Sequence, residues 1–417
     1  MATSAPTAQN LDLVSPRFKA NPYPTYARLR SDAPVARTRL PDGRHAWLVL
    51  RYDDVERVLK DARFAKDRRR VSSPPRMPFE RVLEPLTRSL QFNMLDLDAP
   101  DHTRLRALVH TAFTPRLIER LRERIQSLAN QLLDGPAERG GLDLVRDYAL
   151  PIPATIIADL LGVPAGDRHR FHRWSNKLVS VASASDFLTA APYILLFMRY
   201  VKRLVARRRL EPRDDLITAL VQAEAAGDHL NADELVSMIF LLLIAGHETT
   251  VNLIASGTLA LLERPDDLER LRREPHLLQR GTAVEELLRY TSPVQVATER
   301  YAIEPVQVSG TTVPYGAMVL AVLGSANHDE RRFADPETLD LARTPNPHLA
   351  FGQGVHYCLG APLARLEGQI AFETLLRRFS DMQLALPAES LPWRRGVFLR
   401  GLERLPLRVR VAPTVAA

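Results

Sequence analysis

Apolar residues recur at three- and four-residue spacing through the middle of the chain, and this pattern predicts that helices dominate from Asp101 to Tyr290. The stretch NADELVSMIFLLLIAGHETTVNLIASGTLALLERP, residues 231–265, predicts one long helix that Asn231 caps and Pro265 ends. Because this helix is apolar almost all round, we expect it to run through the core.

Strand patterns are short and lie towards the two ends of the chain. HAWLVLRY at 45–52 predicts a strand, and DDVERVLKD at 53–61 predicts a short helix that Asp53 or Asp54 caps. Further strands are predicted at VQVSG (306–310), AMVLAVL (317–323), MQLALP (382–387) and LPLRVRV (405–411). Strands and helices do not alternate, so the pattern argues against a doubly wound sheet and predicts a mostly α fold with small β-sheets.

The chain shows no repeat and no linker composition. We therefore expect one domain over residues 1–417, with 1–15 flexible. The sequence Ser-Ser-Pro-Pro within residues 67–95 predicts a long, adaptable loop.

Composition narrows the class of protein. The chain has 417 residues, 46% of them hydrophobic and 25% charged, which is ordinary for a soluble globular protein. The net charge of +7 comes with no zinc-finger spacing or basic tail, so we expect no nucleic-acid partner. One cysteine forms no internal disulfide, and neither a signal peptide nor a membrane-length apolar run is apparent. These features predict a cytoplasmic protein without a membrane anchor.

The single cysteine, Cys358, stands in the glycine-rich stretch FGQGVHYCLG just before a predicted helix. Free backbone N–H groups at a helix start favour a thiolate. The glycines at 352, 354 and 360 let the backbone pass close to a flat or bulky group. A buried structural cysteine, a catalytic nucleophile and a thiolate ligand to haem iron are all compatible with this stretch.

Two further clusters carry polar chemistry on predicted helices. Ala245-Gly246-His247-Glu248-Thr249-Thr250 interrupts the long apolar helix, either as a kink with a satisfied polar patch or as a notch where a ligand meets an acid–alcohol pair. Glu286 and Arg289, three residues apart, can form an ion pair on one helix face. That pattern is common by chance, so taken alone it favours a solvated ion pair.

Together, these three clusters resemble the cytochrome P450 family, in its soluble bacterial form. The matching motifs are F-x-x-G-x-x-x-C-x-G at Phe351, Gly354, Cys358 and Gly360, A-G-x-[DE]-T-T at Ala245–Thr250, and E-x-x-R at Glu286 and Arg289. Further matches lie at 98–109, 292–300 and 346–367. The resemblance implies the cytochrome P450 fold, an α-helical prism with haem between the long distal helix and the helix after the cysteine loop.

The resemblance also implies roles for individual residues around a haem b group. Cys358 is expected to be the proximal ligand to the iron, with Phe351 beside the sulfur. The other residues expected to contact the haem are His102, Arg106, Ala245, Gly246, Arg300, Gly352, His356 and Gly360, with His102, Arg106, Arg300 and His356 facing its propionates. Glu248 and Thr249 are expected to deliver protons on the distal side. Glu286, Arg289 and Arg343 are expected to form a buried structural network. One departure is His328, where the family usually has arginine.

A substrate pocket is expected from the 67–95 loop, the helices around 171–205, the distal helix, the segment after Arg289 and the C-terminal hairpin. Its candidate wall residues are Phe92, Leu95, Leu241, Ile244, Val294, Val296, Phe398 and Leu399. These side chains are apolar, so we expect an apolar substrate, although each of them could equally be ordinary core packing.

The resemblance implies a monooxygenase that receives electrons from a separate ferredoxin or flavodoxin and its reductase. No dinucleotide fingerprint is apparent, so NAD(P)H is expected to act only through those partners. The basic stretch at 104–124 is a candidate docking surface, and we expect a monomer. The alternatives are a hydrogen-peroxide-driven peroxygenase, a haem-thiolate binding module without turnover, and a cysteine hydrolase without haem. The intact Glu248-Thr249 pair disfavours the first two.

Overall fold

Helices make up most of the computed structural model, which describes residues 11–71, 93–179, 184–224 and 230–413. They account for 55% of the structure, and the predicted mostly α fold with small sheets is confirmed. The helices are α1 (Pro16–Ala20), α2 (Tyr23–Asp32), α3 (Tyr52–Lys60), α4 (Asp101–Ala112), α5 (Pro115–Arg120), α6 (Arg122–Arg139), α7 (Pro151–Leu160), α8 (Arg168–Val179), α9 (Ala184–Leu210), α10 (Leu216–Glu224), α11 (Ala232–Leu262), α12 (Pro265–Arg273), α13 (His276–Gln279), α14 (Thr282–Thr291), α15 (Leu323–Ala326) and α16 (Ala361–Arg378).

The strands include all five that the sequence predicts. They are β1 (Val35–Arg39), β2 (His45–Val49), β3 (Phe64–Ala65), β4 (Gly141–Asp143), β5 (Arg300–Ala302), β6 (Val306–Val308), β7 (Thr311–Val313), β8 (Met318–Ala321), β9 (Phe379–Leu384) and β10 (Pro406–Val411). They form a five-stranded sheet in the order β1-β2-β8-β5-β3, a three-stranded sheet β4-β10-β9 and the hairpin β6-β7.

The chain forms two compact units. The first contains Met1–Ala65, Arg122–Ile152 and Thr249–Ala417, and the second contains Lys66–Leu121 and Pro153–Glu248. Because each unit is assembled from segments far apart in the sequence, no linker composition marks the division.

The first unit holds all the strands named above. Its five-stranded sheet shares an apolar core with α3, where Val55, Val58 and Leu59 are buried with Val319. In the same unit α16 packs on α6, and Tyr148 Oη donates to the carbonyl of Ala371 on α16 at 3.0 Å. The helix that follows the cysteine loop is therefore anchored along its length in the core of this unit.

The second unit is helical in its described part, where α10 packs on α4 and on α9, and α9 packs on α8. Phe171 and Phe197 bring α8 and α9 together with ring centroids 5.7 Å apart. Residues 72–92, the greater part of the predicted 67–95 loop, lie outside the described residues, while Arg68–Arg70 form a 3₁₀ turn.

The predicted long helix forms as α11 and begins with the expected cap. Asn231 Oδ1 accepts from the backbone N–H groups of Asp233 and Glu234 at 3.0 and 2.9 Å, while Glu234 Oε2 accepts from Asn231 N at 2.9 Å. This reciprocal arrangement is a capping box. Among the described helices, α11 is long and apolar enough to cross a membrane, but 61% of its most apolar window is buried. A core helix meets the same criteria, and burial in the core is what the apolar pattern predicts.

The predicted cap of α3 is wrong. Neither Asp53 nor Asp54 caps the helix, because α3 begins one residue earlier, at Tyr52, and both aspartates lie in its first turn. A distant residue supplies the cap instead, since Asp329 Oδ2 accepts from the Tyr52 backbone N–H at 2.8 Å. A local pattern contains no sign of such a contact.

Candidate functional site

Cys358 presents its thiol at the start of α16. Its backbone N–H donates to the Phe351 carbonyl at 3.0 Å, which closes the loop, and Pro362 occupies the first turn of the helix. The cysteine is exposed, although cysteine is among the residues most often buried in proteins. The helix start favours negative charge on the sulfur. An accessible thiol in such a position is suited to bind a ligand as a thiolate.

The three glycines of the loop have different surroundings, and only one of them is required by close packing. Gly354 has φ +74°, and a Cβ there would lie 2.8 Å from the Leu59 carbonyl oxygen at the end of α3. This glycine is therefore needed for close packing of the loop on α3. Gly352 also has positive φ, but a Cβ there would meet nothing within 4 Å, and one on Gly360 would lie 3.9 Å from Cys358 Sγ. Gly352 and Gly360 therefore lack the close packing that requires glycine at position 354, and clearance for a flat group at these positions stays a prediction.

An accessible stripe interrupts the buried surface of α11. Leu241, Ile244, Glu248 and Thr249 are half-buried and Ala245 is exposed, whereas residues 251–261 of the same helix are all buried. Residues three and four apart lie on one helix face. The sequence predicted either a kink or a ligand-facing notch in this region, and the helix continues through it from Ala232 to Leu262.

Gly246 has a packing reason that the sequence did not reveal. A Cβ at this position would lie 2.9 Å from Ile157 Cδ1 of α7, within the second unit. Ile157 thus occupies the space that a side chain at 246 would need. Its neighbour Ala245 is exposed and lies on the accessible stripe.

The four candidate propionate contacts lie two in each unit. In the second unit, His102 is buried on α4, and Arg106 is half-buried one turn further along. In the first unit, Arg300 is buried on β5 and donates from Nη1 to the Phe64 carbonyl at 3.3 Å, while His356 ends a 3₁₀ turn just before the cysteine. Phe351 is half-buried, with the Arg365 guanidinium 4.5 Å above its ring.

Glu286 and Arg289 form a fully buried ion pair, not a solvated one. Arg289 Nε and Nη2 donate to the two Glu286 oxygens at 2.8 and 2.7 Å, and both side chains are 0% exposed. Arg343 Nε adds a contact to Glu286 at 3.2 Å, so the three residues that the sequence grouped do meet. Two partners were missed, because Glu286 also accepts from the backbone of Asp340 at 2.9 Å and from Asn346 Nδ2 at 3.0 Å.

His328 is accommodated as a buried, stacked side chain. Its ring lies 3.8 Å from that of Tyr23, centroid to centroid, and its two nitrogens contact the Tyr290 carbonyl at 3.0 Å and Glu337 at 3.2 Å. Burial lowers the pKa of His328 despite the nearby Glu337 carboxylate. The departure from the family's usual arginine is therefore a local substitution with its own partners.

The predicted pocket residues differ in accessibility. Leu95, Leu241 and Ile244 of the second unit are half-buried, and so are Phe398 and Leu399 of the first. Val294 pairs with Leu399 in an isolated antiparallel bridge. The remaining two are Val296, which is only 1% exposed, as an ordinary core side chain would be, and Phe92, which lies outside the described residues.

Glu367 is a buried acid on α16 that the sequence analysis missed. It lies four residues after Leu363 and three before Ile370, on the apolar face of the helix. An acid at such a core position is the sequence feature that could have identified it. The carboxyl is 1% exposed and hydrogen-bonds Thr250, while its Oε1 has no partner in the described part of the chain. Burial raises the pKa of Glu367 to about 8, against an ordinary value of 4.5.

We expect Glu367→Gln to flatten the pH dependence of stability. A carboxyl whose pKa is raised on folding stabilises the folded state fully below its unfolded pKa and loses that contribution as the pH rises to the folded pKa. Between pH 4.5 and 8, Glu367 should therefore lower the free energy of unfolding by about 1.4 kcal/mol per pH unit. Denaturant unfolding at pH values across this interval measures the slope. Glu373→Gln, half-buried on the same helix, should keep the wild-type slope, and an unchanged slope in Glu367→Gln would contradict the prediction.

A lone thiol suits a metal ion whose other ligands come from a cofactor and not from the protein. In the described ranges, no group of three or more His, Cys, Asp or Glu side chains is arranged to hold a bare metal ion. A single accessible thiolate beside open backbone matches the one protein ligand that haem iron takes from a cysteine.

Comparison with known proteins agrees with this chemistry. The cytochrome P450 family model matches residues 34–384. The chain is 45% identical over 393 residues to the polyketide biosynthesis cytochrome P450 PksS of Bacillus subtilis (strain 168), covering 94% of this chain and 96% of that protein. It is 43% identical over 411 residues to the cytochrome P450 monooxygenase PikC of Streptomyces venezuelae, covering 98% and 96%. The solved structure of myxobacterial cytochrome P450 CYP267B1 in complex with myristic acid matches with TM-score 0.88 and 42% identity, covering 96% of this chain and 99% of that one.

The chain belongs to the cytochrome P450 family. It is a haem-thiolate monooxygenase, an oxidoreductase like its bacterial relatives, and the cysteine hydrolase alternative is set aside.

Proposed function

We propose that this monooxygenase holds haem b through the Cys358 thiolate and oxidises an apolar product of secondary metabolism. The exposed thiol at the start of α16 carries the proposal. When bound, a haem with a thiolate ligand supplies the chemistry that splits dioxygen. We assign His102, Arg106, Arg300 and His356 to the haem propionates, because arginine and protonated histidine neutralise carboxylates through charged hydrogen bonds.

Glu248 and Thr249 are the proposed proton-delivering pair. Both are half-buried, and they are consecutive on the accessible stripe of α11. A carboxyl that exchanges protons with water and a hydroxyl that passes them on can together protonate dioxygen during its reduction. Protons that arrive in the wrong place release hydrogen peroxide instead of product.

We expect Thr249→Ala to divert electrons from product to hydrogen peroxide. Loss of a general-acid path typically costs about 100-fold or more in the step it serves, so product per NAD(P)H consumed should fall at least about tenfold. Measuring product, peroxide and NAD(P)H together gives this ratio. The control is Thr258→Ala on the same helix, whose hydroxyl bonds the Ile254 carbonyl at 2.8 Å. A Thr249→Ala enzyme as well coupled as Thr258→Ala would remove Thr249 from the proton path.

Electrons are proposed to come from a ferredoxin or flavodoxin and its reductase, so that NAD(P)H acts only indirectly. The candidate docking surface is the basic stretch at 104–124, where Arg116 and Arg120 are exposed on α5. Exposed charges steer an acidic partner towards its site, and salt screens them.

Raising the salt concentration from about 0.05 to 0.5 M should slow reduction by a ferredoxin about tenfold, since the Debye length shrinks over this range. Stopped-flow reduction of the enzyme measures the rate. Arg116→Glu should slow reduction at low salt and lose most of the salt dependence, whereas Arg408→Glu, exposed on β10, should behave as wild type. An unchanged rate for Arg116→Glu would rule out this docking surface.

The substrate is proposed to be apolar, and a polyketide or a fatty acyl chain is the first choice. Half-buried apolar residues in each unit support an apolar substrate: Leu95, Leu241 and Ile244 in the second unit, and Val294, Phe398 and Leu399 in the first. PksS is named for polyketide biosynthesis and CYP267B1 was solved with myristic acid, so polyketides and myristic acid are the first probes to test. We further propose a cytoplasmic monomer made of one functional domain, with no nucleic-acid partner and no membrane.

Isotopically labelled dioxygen tests the reaction. With a surrogate ferredoxin and reductase, we expect one labelled oxygen atom in each product molecule and the other in water. Product formed from hydrogen peroxide at a similar rate, without partners, would instead indicate a peroxygenase. Binding of probes without any product, under conditions where the haem is reduced, would indicate a binding module.

A further inference from the structure

A lysine without exposed surface lies behind the proposed substrate wall. Lys19, on α1, is 0% exposed. Its Nζ donates to the Leu399 carbonyl at 2.9 Å, to Gln295 Oε1 at 3.2 Å and to the Val397 carbonyl at 3.4 Å. Burying an ammonium group is costly unless protein groups replace its water. Here three N–H donors meet three uncharged acceptors.

Those acceptors belong to two backbone segments, 293–296 and 397–400, which are bonded to each other. The Gln295 and Val296 backbone N–H groups donate to the Phe398 carbonyl at 2.8 and 3.1 Å, and Arg400 N donates to the Pro293 carbonyl at 3.0 Å. Val294, Phe398 and Leu399 are the half-buried residues of these segments that we assign to the substrate wall. Lys19 therefore contacts both segments from their buried side.

The charged surroundings of Lys19 make it unusual. Arg400 faces it and donates to the Lys19 carbonyl at 2.7 Å, Asp12 lies within electrostatic range, and the Tyr26 hydroxyl approaches Gln295 Oε1 at 3.4 Å. Over the described ranges, no carboxylate lies within ion-pair distance of its Nζ. Burial and, less strongly, Arg400 lower the pKa of Lys19 to about 7, while Asp12 opposes both.

We propose that Lys19 is a positioning residue for substrate, whose ammonium holds the 293–296 and 397–400 segments in the arrangement that presents Val294, Phe398 and Leu399. A neutral amine has two donors instead of three, so deprotonation leaves one of the three acceptors without its partner. The 293–296 and 397–400 segments are then held less firmly against each other. This inference rests on the proposed assignment of these side chains to the substrate wall.

Hydrogen exchange tests the structural half of the proposal without any substrate. In Lys19→Met, the amides of Gln295, Val296 and Arg400 should exchange about tenfold faster than in wild type, whereas Lys19→Arg, which keeps the charge, should stay close to wild type. In wild type, the same amides should accelerate between one pH unit below and one above the pKa of about 7, relative to the amides of β1 and β2. This comparison requires no substitution, so it stands even if Lys19→Met folds poorly. Unchanged exchange in both experiments would overturn the proposal.

Probe binding tests the functional half. Myristic acid, whose carboxylate stays ionised over this pH interval, is titrated while the Soret band of the ferric enzyme is followed. The Kd should rise about fivefold in Lys19→Met, and by a similar factor in wild type when the pH exceeds the pKa of Lys19. Lys19→Arg should bind like wild type. Lys60→Met, which replaces an exposed lysine on α3, should also be unaffected. Faster exchange with the same Kd would show that Lys19 supports the fold but does not position this class of substrate. Failure of the haem assignment is recognised separately, by absence of the thiolate band in the carbon monoxide complex of wild type.

Discussion

Replacing Cys358 with serine is expected to abolish the strongly red-shifted Soret band of the reduced carbon monoxide complex and to reduce product formation to background. That band depends on a thiolate ligand, and a serine hydroxyl remains protonated at neutral pH and cannot replace it. Serine differs from cysteine only in carrying oxygen in place of sulfur, so the exchange changes little of the shape of residue 358. Its backbone bond to the Phe351 carbonyl at 3.0 Å is also independent of the side chain. The loss should therefore be chemical and not structural.

The appropriate comparison is with Val355→Ala in the same loop. Val355 is 66% exposed, so its replacement should leave both the band and the activity intact. Circular dichroism and thermal unfolding of all three proteins separate loss of the ligand from loss of the fold. A Cys358→Ser protein that kept the red-shifted band would disprove the proximal assignment.

The largest effect on stability is expected from Arg289→Ala, at about 3–5 kcal/mol. Arg289 makes five hydrogen bonds, two to Glu286 and one each to the carbonyls of Asn327, Pro336 and Thr338. Its removal leaves the Glu286 carboxylate buried without its main counter-ion and takes a donor from three carbonyls, of which that of Thr338 keeps a 3.4 Å contact from Arg343 Nη2. Denaturant unfolding of the haem-loaded protein measures the loss.

A neighbouring pair provides the matched control. Arg365 donates to Glu285 at 2.6 and 2.8 Å, but the two side chains are 36% and 25% exposed. Solvent screening reduces the value of such a pair, so Arg365→Ala should cost only about 1 kcal/mol. If the two variants lost equal stability, burial would not be what makes the Glu286–Arg289 pair important. Glu286→Gln combined with Arg289→Met should recover part of the loss, because the fully buried carboxylate is removed together with its main counter-ion.

The sequence predicted features that depend on local pattern or on a long motif. The extent and cap of α11 follow from its apolar composition and from Asn231, and both are confirmed. The family was recognised because its residues occur in order at fixed spacing. Glu367 was predictable in principle, because it is an acid among the apolar positions of α16.

Other features depend on contacts between distant segments, which no local pattern records. Asp329 caps α3 from far along the chain, and Asn346 completes the environment of Glu286. Gly246 is required by Ile157 of a different helix. Lys19 looks in the sequence like an ordinary surface lysine, and only the fold reveals that three acceptors surround it.

The contact between Gly354 and Leu59 also constrains the order of events during biosynthesis. The cysteine loop packs against the end of α3. During translation α3 is therefore synthesised early and the cysteine loop late. Pairings between residues so far apart in the chain form slowly, because a long loop must close first. The ribosome must therefore have synthesised most of the chain before the thiol is in place, and haem loading becomes a step that follows synthesis. Expression at lower temperature with an ample haem supply should accordingly raise the loaded fraction more than it raises the total yield.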